Sequence, residues 1–328
     1  MSIIEQKRIL SKLIHKGKNI FLMAHKDLDL DALGSSIGMY MLLKQKRKHC
    51  YLIIDDINHE PGVQKILREL EGCIKIIKGE EIEKYLHKND KKNLLIILDT
   101  NREDLVQNKE IIKKIETKLV IDHHEIGKGT IKNAYMINDT ESSSTCEMIT
   151  DLVEYYDIDV EPYYATTLLA GIVLDTNNFT LKTKPETYYA AYYLSSLGAS
   201  AKKVQYLLKQ DIKDYTERQK LMADIETINN RIALTKATPY TIYRREDLAK
   251  VADTLLFFNN IEASFVIGKI GKDTIGISAR SLGNYDISKI MVKLGGGGTS
   301  QNGAAKFEKT TISKVEQDLK KLLKEMGE

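Results

Sequence analysis

The sequence predicts a two-domain α/β protein. A parallel-sheet domain spans 1–200, a helical connector spans 201–228, and a smaller α/β domain spans 229–328. Three observations predict this. Short apolar runs alternate with amphipathic stretches through the first half, the middle of the chain turns helical, and strand-like runs return after about residue 230. Strands separated by helical stretches indicate βαβ units and hence a parallel sheet. At 328 residues the chain is long enough for two cores.

The predicted strands of the first domain are "NIFLMA" (19–24), "YLIIDD" (51–56), "CIKIIK" (73–78), "NLLIILDT" (93–100) and "KLVIDHH" (118–124), with helices such as "DALGSSIGMYMLLKQ" and "EIIKKI" between them. Unbroken apolar runs of this kind suit strands buried on both faces. From 143 to 228 the pattern is helical: "STCEMITDLVEYY", "YYATTLLAGIVLDT", "PETYYAAYYLSSLG", and then the charge-rich "AKKVQYLLKQ" and "YTERQKLMADIETI" of the connector. The second domain offers the strands "RIALTKAT", "YTIYR", "ASFVIGKI" and "TIGISARS", helices at about 246–258 and 286–294, and a Lys/Glu-rich terminal helix. No internal repeat is present.

Composition narrows the function. Lys+Arg 49 against Asp+Glu 46 gives a net charge of +3. That balance disfavours duplex DNA held by bulk charge, and also long single strands, which want a basic groove with stacking aromatics. Cys50, Cys73 and Cys146 are an odd count without metal-type spacing, so a reducing, cytoplasmic setting is expected. The N-terminal stretch has charges scattered through it, unlike a signal peptide. No run approaches the roughly 20 apolar residues needed to span a bilayer. The expectation is a soluble protein, or the soluble part of something larger.

The most informative stretch is "HKDLDLDALG" (25–34), which directly follows a predicted strand. One aspartate suffices to cap the next helix, yet Asp27, Asp29 and Asp31 stand at alternate positions and repel one another unless a cation holds them. In open α/β sheets ligands bind beyond the carboxyl ends of the strands. Three predicted strand ends carry His25/Asp29/Asp31, Asp99 and Asp122/His123/His124. With Asp175 in "AGIVLDT", the candidate metal ligands are His25, Asp29, Asp31, Asp99, His123 and Asp175. A two-metal site needs one carboxylate that bridges ions ~3.5–4 Å apart. Oxygen and imidazole without thiolate favour Mn²⁺ or Mg²⁺ over structural zinc. Taken singly, "LDT" or "DHH" is an ordinary helix cap or surface motif; their combination along one sheet is not. His15, His49, His59 and His87 lie in charged or loop-like contexts and read as surface residues.

Two further stretches suit a phosphate-bearing ligand. Ser143 and Ser144 in "DTESSSTCEM" (139–148) open a helix, where hydroxyls and free N–H groups serve either a phosphate or the helix cap. Arg102, just beyond Asp99, lies within reach of the same place. In "ISARSLGNYDISKIMVKLGGGGTSQNGAA" (277–305), Gly295, Gly296, Gly297 and Gly298 permit close backbone approach and offer N–H groups to anions. Arg280 suits bidentate phosphate binding or base stacking.

"HKDLDLDALGSSIG", "LDT", "DHH" and "GIVLDT", in that order, resemble the four motifs of the DHH phosphoesterase superfamily. Its members include RecJ-type exonucleases, nanoRNA/pAp phosphatases and cyclic-dinucleotide phosphodiesterases. The resemblance implies two Mn²⁺ ions, with Mg²⁺ or Co²⁺ as substitutes. His25 and Asp29 then serve one metal and Asp31 and His123 the other, with Asp99 bridging and Asp175 completing the set. His124 then orients those ligands or meets phosphate, and Asp27 and Asp122 cap or support them. The glycine-rich stretch resembles the DHH-associated domain. The run from "ADTLLFFNNIEASF" to "GGGG" resembles the catalytic part of membrane-anchored, GdpP-type cyclic-di-AMP phosphodiesterases. Such enzymes carry membrane and regulatory segments ahead of the catalytic part. The expected setting is therefore cytoplasmic, or the cytoplasmic catalytic region of a membrane-anchored parent. The family motif places a histidine after the glycines, where this chain has Thr299, which cannot carry positive charge toward a phosphate.

The implied activity is hydrolysis of cyclic-di-AMP to pApA by in-line attack of a metal-activated hydroxide. The alternative is clearance of pApA, pAp and other short linear oligonucleotides. A cyclic-nucleotide sensor without turnover would require a damaged metal set. A homodimer is left open.

Overall fold

The computed structural model describes residues 3–55 and 59–326. It divides into two compact units, Met1–Lys209 and Gln210–Glu328.

The first unit runs α1 (Ile3–Lys16), β1 (Asn19–Met23), α2 (Leu30–Gln45), β2 (His49–Ile53), α3 (Pro61–Glu69), β3 (Ile76–Ile77), β4 (Asn93–Leu98), α4 (Lys109–Lys114), β5 (Lys118–Asp122), β6 (Tyr135–Asn138), α5 (Thr145–Tyr155), α6 (Pro162–Asp175), α7 (Pro185–Ser196) and α8 (Ala201–Leu207). The expected parallel sheet is present. Its order is β3-β2-β1-β4-β5-β6, and every neighbouring pair is parallel. β4 is buried along its whole length, as a strand covered on both faces must be. One face packs against α1, α2, α5 and α6, the other against a smaller cluster around Phe21, Ile97 and Ile111.

This strand order decides where a ligand binds. From β1 the chain winds outward through β2 and β3; from β4 it winds the other way through β5 and β6. The reversal falls between β1 and β4, and a crevice forms beyond their carboxyl ends. Those are the ends that carry His25, Asp29 and Asp31 on one side and Asp99 on the other.

Helix α2 is apolar on nearly all sides and buried from Leu30 to Tyr40. It lies tightly against α5 and α6 because small residues line the contact. A Cβ at Gly34 would stand 2.7 Å from the Thr167 carbonyl oxygen, and one at Gly38 would stand 2.7 Å from Ile149 Cγ2. The glycines of "GSSIG" therefore pull three helices together behind the crevice.

Strand β6 was not expected from the sequence: it is a four-residue edge strand with only Ile137 buried, too short and too exposed to show a period. "YLIIDD" ends as a strand at Ile53, and Asp56 lies outside the described residues. "CIKIIK" contributes only Ile76–Ile77. Within 201–228 the chain passes from one unit to the other after Lys209, and α8 packs on α3 and α6. Among the described residues no helix is long and apolar enough to cross a membrane.

The second unit contains α9 (Ile212–Leu221), β7 (Glu226–Ile228), β8 (Ile232–Lys236), α10 (Arg245–Leu255), β9 (Ala263–Gly271), β10 (Thr274–Ser281), α11 (Ile287–Lys293), β11 (Gly297–Gly298), β12 (Asn302–Glu308) and α12 (Ile312–Glu325). Its sheet runs β11-β12-β10-β9-β8-β7, with only β8 and β9 parallel. "YTIYR" forms no strand, only a single bridge from Ile242 to Lys269; Tyr240 and Ile242 face solvent. Strand β12 was unforeseen, because "NGAAKFE" has few β-branched residues. It forms because pairing with β10 supplies its hydrogen bonds.

The four glycines have separate structural tasks. Gly295 is the left-handed residue that ends α11 (φ 78°). The Gly295 and Gly296 N–H groups donate to the Val292 and Met291 carbonyls at 3.0 and 2.8 Å, a Schellman cap. A Cβ on Gly296 would strike the Ala304 carbonyl, and one on Gly298 the Asn302 carbonyl, because β11 lies hard against β12. Only Gly297 of the inner pair has open space around it. Gly296→Ala and Gly298→Ala should each destabilise by about 1–3 kcal/mol, as overpacking does, and Gly297→Ala by less than about 0.5 kcal/mol. Thermal unfolding of the three variants checks this ordering.

Candidate active site

Two helix starts converge on the crevice. Asp29 caps α2: its Oδ1 accepts the N–H groups of Asp31 and Ala32, both at 2.9 Å. Asp31, within the first turn of α2 and fully buried, accepts the Thr145 and Cys146 N–H groups at 2.8 and 2.7 Å. These belong to the exposed-donor end of α5, where a carboxylate is stabilised by free N–H groups and by the helix dipole. Thr145 also donates its hydroxyl to Asp99 Oδ1 at 2.9 Å.

Asp99 follows β4 with a left-handed backbone (φ 59°), a conformation rare outside glycine and concentrated at functional sites. Its two oxygens look in different directions. Oδ2 lies 3.3 Å from His25 Nε2, and Oδ1 lies 3.5 Å from His123 Nε2. His25 donates Nδ1–H to the Lys26 carbonyl at 2.7 Å. This bond sets the tautomer and turns the Nε2 lone pair of neutral imidazole toward Asp29 and Asp99.

His123 is buried, and neither ring nitrogen has a hydrogen-bond partner among the described residues. Its Nε2 stands 3.2 Å from Asp175 Oδ2 and 3.9 Å from Asp31 Oδ2. An unsatisfied buried imidazole is costly and calls for an explanation; a cation among these carboxylates supplies one. His124 packs edge-on against His123 and donates Nδ1–H to Asp122 at 2.8 Å. Asp122 is fully buried, and its other oxygen accepts from Asn101 at 2.7 Å. His124 thus stays half-exposed with Nε2 available.

Two triads result, His25/Asp29/Asp99 and Asp31/His123/Asp175, and a third group joins Asp99, His123 and His124. Within each, the ligand atoms lie within 4.8 Å of one another, and Asp99 stands between the two triads. The donor set is oxygen and imidazole, and it fits hard or borderline divalent cations.

The electrostatics show what such a cation would replace. Burial, with Asp99 and Asp175 nearby, pushes Asp29 up to about 6 despite the opposing His25 charge. Burial pushes Asp31 well above the usual carboxylate range. Burial also lowers His25, but its bond to Asp99 and the charges of Asp29 and Asp99 prevail and raise it to about 10. In the same way His124 rises to about 9 against its burial, through Asp122 and Asp99. Burial opposes ionisation of Asp99, yet the neighbouring histidines hold it well below its ordinary value. Without a cation His25 and His124 hold their protons at neutral pH, while Asp99 stays ionised. Metal binding and proton release are therefore linked.

The residues expected to touch substrate are already engaged. Ser143 is buried and donates its hydroxyl to Glu147 at 2.5 Å. Ser144 is the α5 cap and accepts the Glu147 N–H at 3.0 Å. Arg102 is half-exposed and paired with Asp104 at 2.8 Å. In the second unit Arg280 is paired with Asp253 at 2.6 Å and donates to the Ala279 carbonyl. The Thr299 hydroxyl accepts the Asn302 N–H at 3.1 Å in the turn between β11 and β12. Sequence reasoning passed over Thr145, Cys146 and Asn101. The Ser144…Glu147 spacing, which marks a helix start, signals the first two. Nothing local signals Asn101.

The DHH family N-terminal domain matches residues 19–172, and the DHHA1 domain matches residues 232–328. The chain is 36% identical over 321 residues to "Cyclic-di-AMP phosphodiesterase GdpP" of Geobacillus thermodenitrificans, covering 96% of this chain and 48% of the relative. It is 35% identical over 314 residues to "Cyclic-di-AMP phosphodiesterase PdeA" of Listeria monocytogenes, covering 94% and 48%. The chain thus spans about half the length of these curated relatives. Among solved structures, an exopolyphosphatase-related protein from Bacteroides fragilis superposes with a TM-score of 0.78 at 21% identity, with both chains fully covered; this likeness concerns the fold. The converging carboxylates and histidines and the two matched domains together show that the chain is a DHH-family protein with a DHHA1 domain.

Proposed function

We propose that this chain is the catalytic part of a Mn²⁺-dependent phosphodiesterase that opens cyclic-di-AMP to linear pApA. The observation that carries the reading is the pair of triads joined by Asp99 around a buried His123 whose ring nitrogens find no hydrogen-bond partner among the described residues. The names of relatives aligned over nearly the whole chain support the substrate.

His25, Asp29, Asp99, Asp31, His123 and Asp175 would hold two divalent cations, which would supply Lewis-acid stabilisation of a phosphoryl centre. The chain's own groups prepare that place. Asp99 offers one oxygen to each side. The Thr145 and Cys146 N–H groups keep the Asp31 carboxylate turned inward, and Asp122 holds His124 so that Nε2–H donates to a phosphate oxygen. The left-handed turn at Asp99 and the dense packing of α2 against α5 and α6 fix these groups before substrate arrives, so little reorganisation is needed during reaction. In the second unit Gly297 has room for a ligand beside its backbone. Cytoplasmic placement agrees with the free Cys50, Cys73 and Cys146.

Mn²⁺-dependent hydrolysis of cyclic-di-AMP and pApA, run side by side with products separated by chromatography, tests the reading. Opening of cyclic-di-AMP with accumulation of pApA is expected, lost on chelation and restored by Mn²⁺. Cleavage of pApA alone, down to AMP, would instead make this an oligonucleotide-clearing enzyme. Asp99→Asn should lower turnover at least about 10³-fold, because it removes charge-stabilising capacity shared by both triads; calorimetry should show weakened Mn²⁺ binding in the same variant. Thr145→Val removes the hydroxyl bond to Asp99 but keeps the backbone N–H groups. A loss of about 10–100-fold in metal affinity or activity is expected, as for other groups that orient ligands.

A further inference from the structure

Helix α5 has a second working face. Its first turn holds Asp31 and Asp99, while Met148 and Leu152, further along, form one wall of a cavity of about 440 Å³. The floor is Ile121 of β5 and Ile137 of β6, and α7 closes the far side with Ala190 and Tyr189. Ile121, Ile137, Met148 and Ala190 are all buried, so the interior is apolar. None of the residues of the two triads lines it. Its volume falls within the roughly 300–1,000 Å³ usual for small-molecule sites.

The charged part of the lining is predominantly negative. Asp139, Glu147, Asp151, Glu154 and Glu186 supply five carboxylates, against the single ammonium of Lys7. That ammonium is committed, lying 2.9 Å from Asp151 and 4.3 Å from the centre of the Tyr155 ring. Tyr189 donates to Glu154 at 2.5 Å, Ser142 donates to Glu147 at 3.4 Å and Thr150 donates to the Cys146 carbonyl at 2.8 Å, so the hydroxyls in the wall are already engaged. An apolar interior beneath a negative surround repels phosphates and carboxylates and draws cations. This excludes the cavity as a second nucleotide site.

We infer that this cavity binds a small organic cation, an amine or guanidine with an apolar body. The body fills the space over Ile121, Ile137 and Met148, and the charged head stays at the acidic lining. Burial of the apolar body supplies affinity, and the carboxylates supply the preference for charge.

The test uses the full chain with its methionine methyls labelled for NMR, Met148 being assigned through Met148→Leu. The probes are 4-phenylbutylamine, 4-phenylbutanol and 4-phenylbutyrate. The expected result is a saturable shift of the Met148 methyl with the amine, at least tenfold weaker binding of the alcohol, and no shift with the carboxylate. Ala190→Phe, which fills the cavity, should abolish the amine shift. The double variant Asp139→Asn/Glu186→Gln, at two exposed positions, should weaken the amine severalfold and leave the alcohol unchanged, and it decides the matter if Ala190→Phe does not fold. No shift with the amine, equal binding of all three probes, or an amine affinity unchanged in the double variant would overturn the inference.

Discussion

The first unit is organised around one electrostatic difficulty. Asp29, Asp31, Asp99 and Asp175 converge beyond the ends of β1 and β4, and three of them are largely or fully taken from water. Carboxylates so placed either keep protons or find cations. The fold answers first with what the backbone has to offer: the start of α2 is capped by Asp29, and the start of α5 is aimed at Asp31. Imidazoles complete the compensation, His25 from the loop that also carries Asp29 and His123 from the end of β5. The remaining deficit is a buried histidine without a hydrogen-bond partner among the described residues, which is where a divalent cation is most needed.

That arrangement depends on packing well away from the chemistry. The N–H groups of Thr145 and Cys146 reach Asp31 only because α5 lies close to α2, and α2 lies close to α6 only because Gly34, Gly38 and Gly171, where a Cβ would stand 2.9 Å from Asp31 Cα, leave no side chain between them. Precision at the carboxylates is thus inherited from helix contacts one to three turns distant. The same economy appears in the second unit. There the glycine run cap-ends a helix and lets β11 lie against β12, and any ligand contact must be made with the part of the run that these duties leave free.

Helix α5 also joins two environments of opposite character. One end of it stabilises negative charge with free N–H groups. Its flank, with Glu147, Asp151 and Glu154, adds negative charge to an apolar cavity. A single rigid element therefore separates a place suited to metal and phosphate from one suited to organic cations.

Much of this was legible in the chain. Five of the six strands of the first sheet show as apolar runs, because strands buried on both faces must be apolar throughout. The residues of the two triads show as acids and histidines stranded at the ends of those runs, where a merely structural role has no use for so many. The edge strand β6, the small-residue strand β12 and the engaged state of Ser143, Ser144, Arg102 and Arg280 did not show. These depend on partners distant in sequence, such as Ile121 pairing beside β6 or Asp253 facing Arg280. The sequence by itself determined which residues bear the charge, since charge and local period belong to each segment alone. Only the tertiary structure decided which oxygen faces which imidazole, because those distances are set by sheet order and helix packing.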